Sequence, residues 1–201
     1  LGLFDIFVTT QISFFVVFIF GKTMIIDFLN YDSRTAGQFN LLTMVSYTIA
    51  TMVFGYLSDK INKRYIILFG TVGIFMSVIP FIHSLEDGLT SLIFVMSLLL
   101  GAFIGMTEGT LNPIVAETFP TNIRATSVAF CWNFTSIAFG GVAPIVSMWL
   151  IQNAGGVDAV AYYLMCACSV TIGSTLYMLS KLKTAKEKLL ESPEAVTVNT
   201  L

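Results

Sequence analysis

This sequence is poor in charge. Its 201 residues include ten Lys or Arg and twelve Asp or Glu, only 11% charged, whereas a soluble globular domain carries about 25%. With 56% hydrophobic residues and a mean hydropathy of +0.84, water is not its main solvent. The net charge of −2 is too small to point to nucleic acid or to an acidic substrate. There is one histidine, His83, so paired haem ligands are excluded. The three cysteines, Cys131, Cys166 and Cys168, all lie in apolar runs with no CxxC spacing. They read as small apolar residues, not as a disulfide framework or a metal site. No cofactor is expected, and no enzyme activity.

What is abundant is long apolar sequence. A membrane-crossing helix needs about 20 mostly apolar residues. Six such runs occur, at about 4–28, 37–57, 65–83, 89–115, 124–151 and 160–180. Barrel strands would be about ten residues long with alternating polarity, so the expectation is an all-α membrane bundle of six helices over 1–180, followed by a charged tail, 181–201. The connectors are short and polar. The basic residues choose a side: Lys60, Lys63, Arg64, Arg124, Lys181, Lys183, Lys186 and Lys188 lie in the connectors at 58–64 and 117–124 or in the tail. By the positive-inside rule these regions and both termini are cytoplasmic, in a plasma membrane (the inner membrane of a bacterium). Asp32, Glu86, Asp87 and Asp158 then fall on the outer side. No short basic-then-apolar leader precedes the first run, and the chain begins at Leu1, so it reads as a segment of a longer protein.

Some polar residues are not explained by connectors. Glu108 in "FIGMTEGTLNP" stands nine residues before Glu117, about 13 Å deeper at the helical rise of 1.5 Å per residue. A carboxyl group near mid-membrane is costly. It faces a wet cavity or holds a proton, as a proton carrier or substrate contact would, or it serves as a structural hydrogen bond to a neighbouring helix. Lys22 either snorkels to the interface or faces a cavity, and Asp5 and Asp27 read as interfacial. Asn112 and Pro113 share the fourth run with Glu108. The fifth holds Trp132, Asn133, Ser136, Gly140, Gly141 and Pro144. Either these serve close helix packing, or Asn133 and Ser136 share a face with a polar cavity that Thr9 and Ser13 of the first run also line.

One stretch carries a family resemblance. "GYLSDKINKR", residues 55–64, resembles the loop between the second and third helices of a six-helix half in the major facilitator superfamily, G-x-L-a-D-r-x-G-r-r. Gly55, Leu57, Asp59, Lys60, Lys63 and Arg64 match, while Asn62 stands where that family has glycine. Asparagine tolerates a left-handed backbone better than most residues, so the turn is expected to survive. "ETFPTNIR", Glu117 to Arg124, is similar to the E-x-x-P-x-x-x-R signature between the fourth and fifth helices. The stretch around 119–146 looks most like the metabolite:proton symporter branch, which includes proline/betaine, dicarboxylate and citrate carriers.

The resemblance implies the C-terminal half of such a carrier, built from 3+3 inverted repeats. It implies that Asp59, Arg64, Glu117 and Arg124 form a cytoplasmic gate network, with Gly55, Lys60, Asn62 and Lys63 in the signature loop. The expected activity is proton-coupled symport of a small polar solute such as proline, betaine or an organic acid. The expected partners are that solute, protons, membrane lipid and a missing N-terminal six-helix half. The other reading is a non-transporting remnant, or a subunit that needs a separate N-terminal half. The candidates for solute or proton contact are Glu108, Asn112, Asn133, Ser136 and Trp132.

Overall fold

Long apolar runs leave the backbone no partner but itself, and the chain answers with helices. The computed structural model describes residues 2–190. Six helices are long and apolar enough to cross a membrane: α1 (Phe4–Asp27), α2 (Ser33–Leu57), α3 (Lys63–Glu86), α4 (Thr90–Thr118), α5 (Arg124–Asn153) and α6 (Asp158–Leu190). Among the described residues there is no strand.

Local chemistry sets several ends. α2 begins at Ser33, ahead of the apolar run, because the Asp32 side chain accepts a hydrogen bond from the Arg34 N–H (3.1 Å) and caps the helix. α3 continues through Pro80 to Glu86. Gly88 follows with φ +68°, a left-handed conformation that glycine adopts without steric cost. α6 runs on through the charged "KLKTAKEKLL" to Leu190. The remaining tail, 191–201, lies outside the described residues.

The helices assemble as two groups of three. α4 packs against α2 and α3, and α1 packs against α5 and α6; contacts of α1 with α4 and of α3 with α6 join the groups. This exchange of the first and fourth helices between the groups is what two interleaved three-helix repeats produce. The tightest seam lies between α2 and α4. Gly101, Gly105 and Gly109 stand four apart along one stripe of α4. A Cβ on them would collide with the carbonyl oxygens of Thr43, Tyr47 and Thr51 on α2. Hydrocarbon solvent gives apolar side chains little reason to associate, so close backbone approach and dispersion hold such a pair. α1 and α6 are tied by polar groups. Thr9 Oγ1 donates to the Ala167 carbonyl (3.0 Å) and shares a 2.6 Å hydrogen bond with Thr171, whose hydroxyl lies 3.1 Å from the Asp5 carbonyl.

Two helices carry wider π turns, α1 at Phe15–Phe20 and α5 at Ser136–Gly140. These turns meet, since a Cβ on Gly140 would lie 2.7 Å from the Phe15 ring. α2 is different from the rest. Beyond its seam with α4 it presents Leu41, Met52 and Tyr56 outward, an apolar face that suits lipid or another apolar bundle.

Replacing Gly109 by leucine forces α2 and α4 apart, at a cost of about 2 kcal/mol or more. Thermal unfolding in detergent will show a clearly lower midpoint. The same measurement on Gly173→Ala, where the added methyl meets open space, will show no loss.

Candidate functional site: a buried carboxyl group and a charged loop cluster

Glu108 is 6% exposed. It sits beside the glycine stripe, between residues whose burial fixes the helix on both sides. Ile104 and Leu111, one turn either way along α4, are fully buried. The neighbouring glycines, Gly105 and Gly109, press α4 onto the α2 backbone at Tyr47 and Thr51. This brings Glu108 within electrostatic reach of Tyr47. The Tyr47 ring in turn packs on Phe14 and Phe18 of α1, with centroids 5.7 and 5.1 Å away. The carboxyl group therefore lies near the junction of α1, α2 and α4. Among the described residues no hydrogen bond reaches it. A carboxyl group in such a place costs several kcal/mol when ionised, and side chains without a structural partner at such depth usually serve function.

The other polar candidates do not join it. Asn112 is exposed on α4. Asn133 is exposed on α5, where its Nδ2 donates to the Ala129 carbonyl of its own helix (2.7 Å), beside an open groove formed with Ala125, Thr126 and Phe130. Trp132 packs edge-on to Phe7 of α1 at 5.8 Å, within a small core with Ile67 and Leu111. Ser136 begins the π turn of α5, and its carbonyl accepts from the Gly141 N–H (2.7 Å). The expectation that Thr9 and Ser13 line a cavity with Asn133 and Ser136 is corrected. Thr9 is hydrogen-bonded to α6 and borders a mostly apolar cleft with Val8, Phe139 and Tyr163, not with Asn133 or Ser136, and Ser13 is fully buried without a hydrogen-bond partner for its hydroxyl.

At the far end of α4 from its first residue, a charged loop cluster forms. An open cleft of about 550 Å³ is lined by Asp59, Lys60, Asn62, Lys63, Arg64 and Glu117. The ion pair formed there is Lys63 Nζ to Glu117 Oε1, 2.6 Å, joining the first turn of α3 to the last turn of α4. Lys63 is the more enclosed partner, its side chain 16% exposed against 67% for Glu117. Among the described residues neither Asp59 nor Arg64 pairs with Glu117 or Arg124. Arg124 instead donates from Nε to the Phe119 carbonyl (3.2 Å), satisfying a backbone acceptor that the end of α4 leaves open. Lys60 lies over the Tyr56 ring at 4.5 Å. Gly55 belongs to the last turns of α2, opposite Gly109.

Asn62 departs from the left-handed turn expected of it. Its φ is −60° and ψ 111°, and its side chain accepts from the Arg64 N–H (3.2 Å). It is the N-cap of α3, a position where asparagine is among the best residues. Sequence reasoning did not find Tyr47, Phe14, Phe18 or the glycine stripe. The repeated four-residue spacing in "GAFIGMTEG" is the signal that was there to be read.

A six-helix membrane bundle with a mid-helix carboxyl group and a charged loop at one end is the architecture of a transporter half. The Major Facilitator Superfamily profile matches residues 4–199, and the chain belongs to that family. It is a multi-pass membrane protein, placed among transporters and not among enzymes. The glycine betaine/proline/ectoine/pipecolic acid transporter OusA of Dickeya dadantii is 23% identical over 85% of this chain and 34% of its own length. The proline/betaine transporter of Escherichia coli K12 is 25% identical over 79% of this chain and 31% of its own length. A putative proline/betaine transporter of Staphylococcus aureus is 28% identical over 89% and 38%. The chain thus spans about a third of the length of the curated relatives it matches.

Asn62→Ala removes the cap of α3 and is expected to cost about 1 kcal/mol. A double-mutant cycle on Lys63 and Glu117, read by thermal unfolding, will give a coupling below about 1 kcal/mol because one partner is largely in solvent. A larger coupling will show that the cleft is closed when the protein is in its membrane.

Proposed function

We propose that this chain is one six-helix half of a secondary transporter that moves a small polar solute together with protons, working against a second six-helix half. The observation that carries the reading is Glu108, a carboxyl group held near the middle of α4 at the α2–α4 seam. Proton coupling needs a group that gains and loses a proton in a site opened to one side at a time, and a buried carboxyl group without a hydrogen-bond partner among the described residues is suited to that task. The names of the relatives favour proline or betaine as the solute class. These are zwitterions, and a cationic ammonium end is compatible with a carboxyl group and with the half-buried rings of Phe14 and Tyr47.

In this reading the bundle, residues 1–180, crosses the membrane six times, and the tail, 181–201, is cytoplasmic with both termini. The cleft lined by Asp59, Lys63, Arg64 and Glu117 is a cytoplasmic latch. Its Lys63–Glu117 ion pair biases the balance between inward- and outward-open states without touching the solute. Arg124 supports it by holding the α4–α5 connector. The second half is needed because one bundle supplies only one wall of a midplane site. The outward apolar face of α2, which carries Leu41, Met52 and Tyr56, supports that need.

The test is uptake of labelled proline or betaine into vesicles holding the assembled carrier. Glu108→Gln keeps the shape and removes the titration. It is expected to reach the membrane and to lose at least about 100-fold of uptake driven by a pH gradient, the lower end of what positioned proton transfer contributes. Normal gradient-driven uptake by the variant overturns the proton role of Glu108. Full uptake by this chain alone overturns the need for a second half.

A further inference from the structure

His83, the chain's single histidine, lies in the last turn of α3, with Glu86 three residues on along the same face. Asp158 is the first residue of α6. These side chains are distant in sequence, and the end-to-end packing of α3 on α6 brings them together. One donor atom from each, the imidazole nitrogen and a carboxylate oxygen from either acid, lies within 4.8 Å of the other two, and His83 Nδ1 stands 3.6 Å from Glu86 Oε2. We infer that His83, Glu86 and Asp158 form a binding site for a divalent transition cation, best suited to Zn²⁺, that clamps the end of α3 to the start of α6.

Three observations beyond proximity carry this. The backbone bearing the donors is fixed: Ile82 and Leu85 on α3, and Val157 and Val160 at the start of α6, belong to one buried core. The Tyr31 hydroxyl donates to the Leu85 carbonyl (2.8 Å), and the Asp87 N–H to the His83 carbonyl (2.9 Å), which hold the last turn of α3. The charge also favours a cation. Glu86 lies at the negative end of the α3 dipole, and among the described residues no lysine or arginine pairs with Glu86 or Asp158. Finally the side chains have room to close. His83 and Glu86 are exposed and Asp158 is half-buried, so the donors are free to move toward one another, and a bound zinc would hold them at roughly 2.0–2.2 Å.

The donor set names the ion class. One imidazole and two carboxylates suit zinc and its neighbours in the first transition row, whereas calcium and magnesium take oxygen ligands. Three protein ligands leave a fourth position for water. A structural alternative explains each residue singly: His83 and Glu86 as a pair three apart on one helix, and Asp158 as an acid at a helix start. It does not explain why all three point to one place. The site lies at the opposite end of the bundle from the Lys63–Glu117 pair, and it stands whether or not the transport reading does.

The experiment uses the full chain, purified in detergent and stripped with a chelator. Zn²⁺ is titrated by calorimetry and Co²⁺ by visible absorption. The expected result is one saturable ion per chain, with the intense visible bands of four-coordinate cobalt. His83→Ala and Asp158→Asn should each weaken binding at least about 100-fold, because even partners of metal ligands are worth 10–100-fold, while Asp87→Asn binds as the parent does. Absence of saturable binding or of those bands in the unmodified chain overturns the proposal without recourse to any variant. An unchanged affinity in either His83→Ala or Asp158→Asn overturns it equally. Melting midpoints without metal show whether the variants are folded.

Discussion

Much of this molecule depends on how closely α2 and α4 approach. In hydrocarbon there is no water to expel from between helices, so the pair is held by contact. The contact exists because Gly101, Gly105 and Gly109 carry no side chain where the carbonyls of Thr43, Tyr47 and Thr51 come to rest. A glycine lowers helix propensity by about 1 kcal/mol in water. In a membrane helix that cost is offset, because leaving the helix would expose backbone groups to hydrocarbon. The stripe also decides where Glu108 goes. Flanked by Gly105 and Gly109, its carboxyl group is drawn against the Tyr47 region of α2 and away from lipid.

The same physics separates the parts of the chain by what they do. The polar hydroxyls of Thr9 and Thr171 fasten α1 to α6. The π turns of α1 and α5 cross at Phe15 and Gly140, where the regular hydrogen-bond ladder is loosened and a change of helix direction costs least. The loop ends carry the mobile charges. Glu117 is mostly in solvent, so its pair with Lys63 contributes little to holding the fold.

The architecture was legible in the sequence because a six-fold alternation of apolar run and charged connector has few other solutions. Glu108 stood out because a carboxyl group in an apolar run has a cost that composition makes visible. What could not be read was which group each polar side chain would face. Thr9 and Ser13 lie one turn apart, and nothing local says that they turn toward α6 and the core. Arg124 was expected in an ion-pair network and instead completes the hydrogen bonding at the end of α4. Asn62 stands where the family motif has a glycine, yet it caps a helix, a role its own side chain allows. His83, Glu86 and Asp158 show no ligand spacing along the chain; only the packing of α3 on α6 assembles them.

In the proposed cycle of the assembled carrier, the buried carboxyl group of Glu108 exchanges a proton. Infrared difference spectroscopy on addition of proline or betaine observes this group directly, through the stretching band of a protonated carboxylic acid. A solute-dependent carboxylic-acid band is expected in the parent protein and absent from Glu108→Gln, with the rest of the difference spectrum retained. An identical band in the variant, or no carboxylic-acid change in the parent, contradicts it.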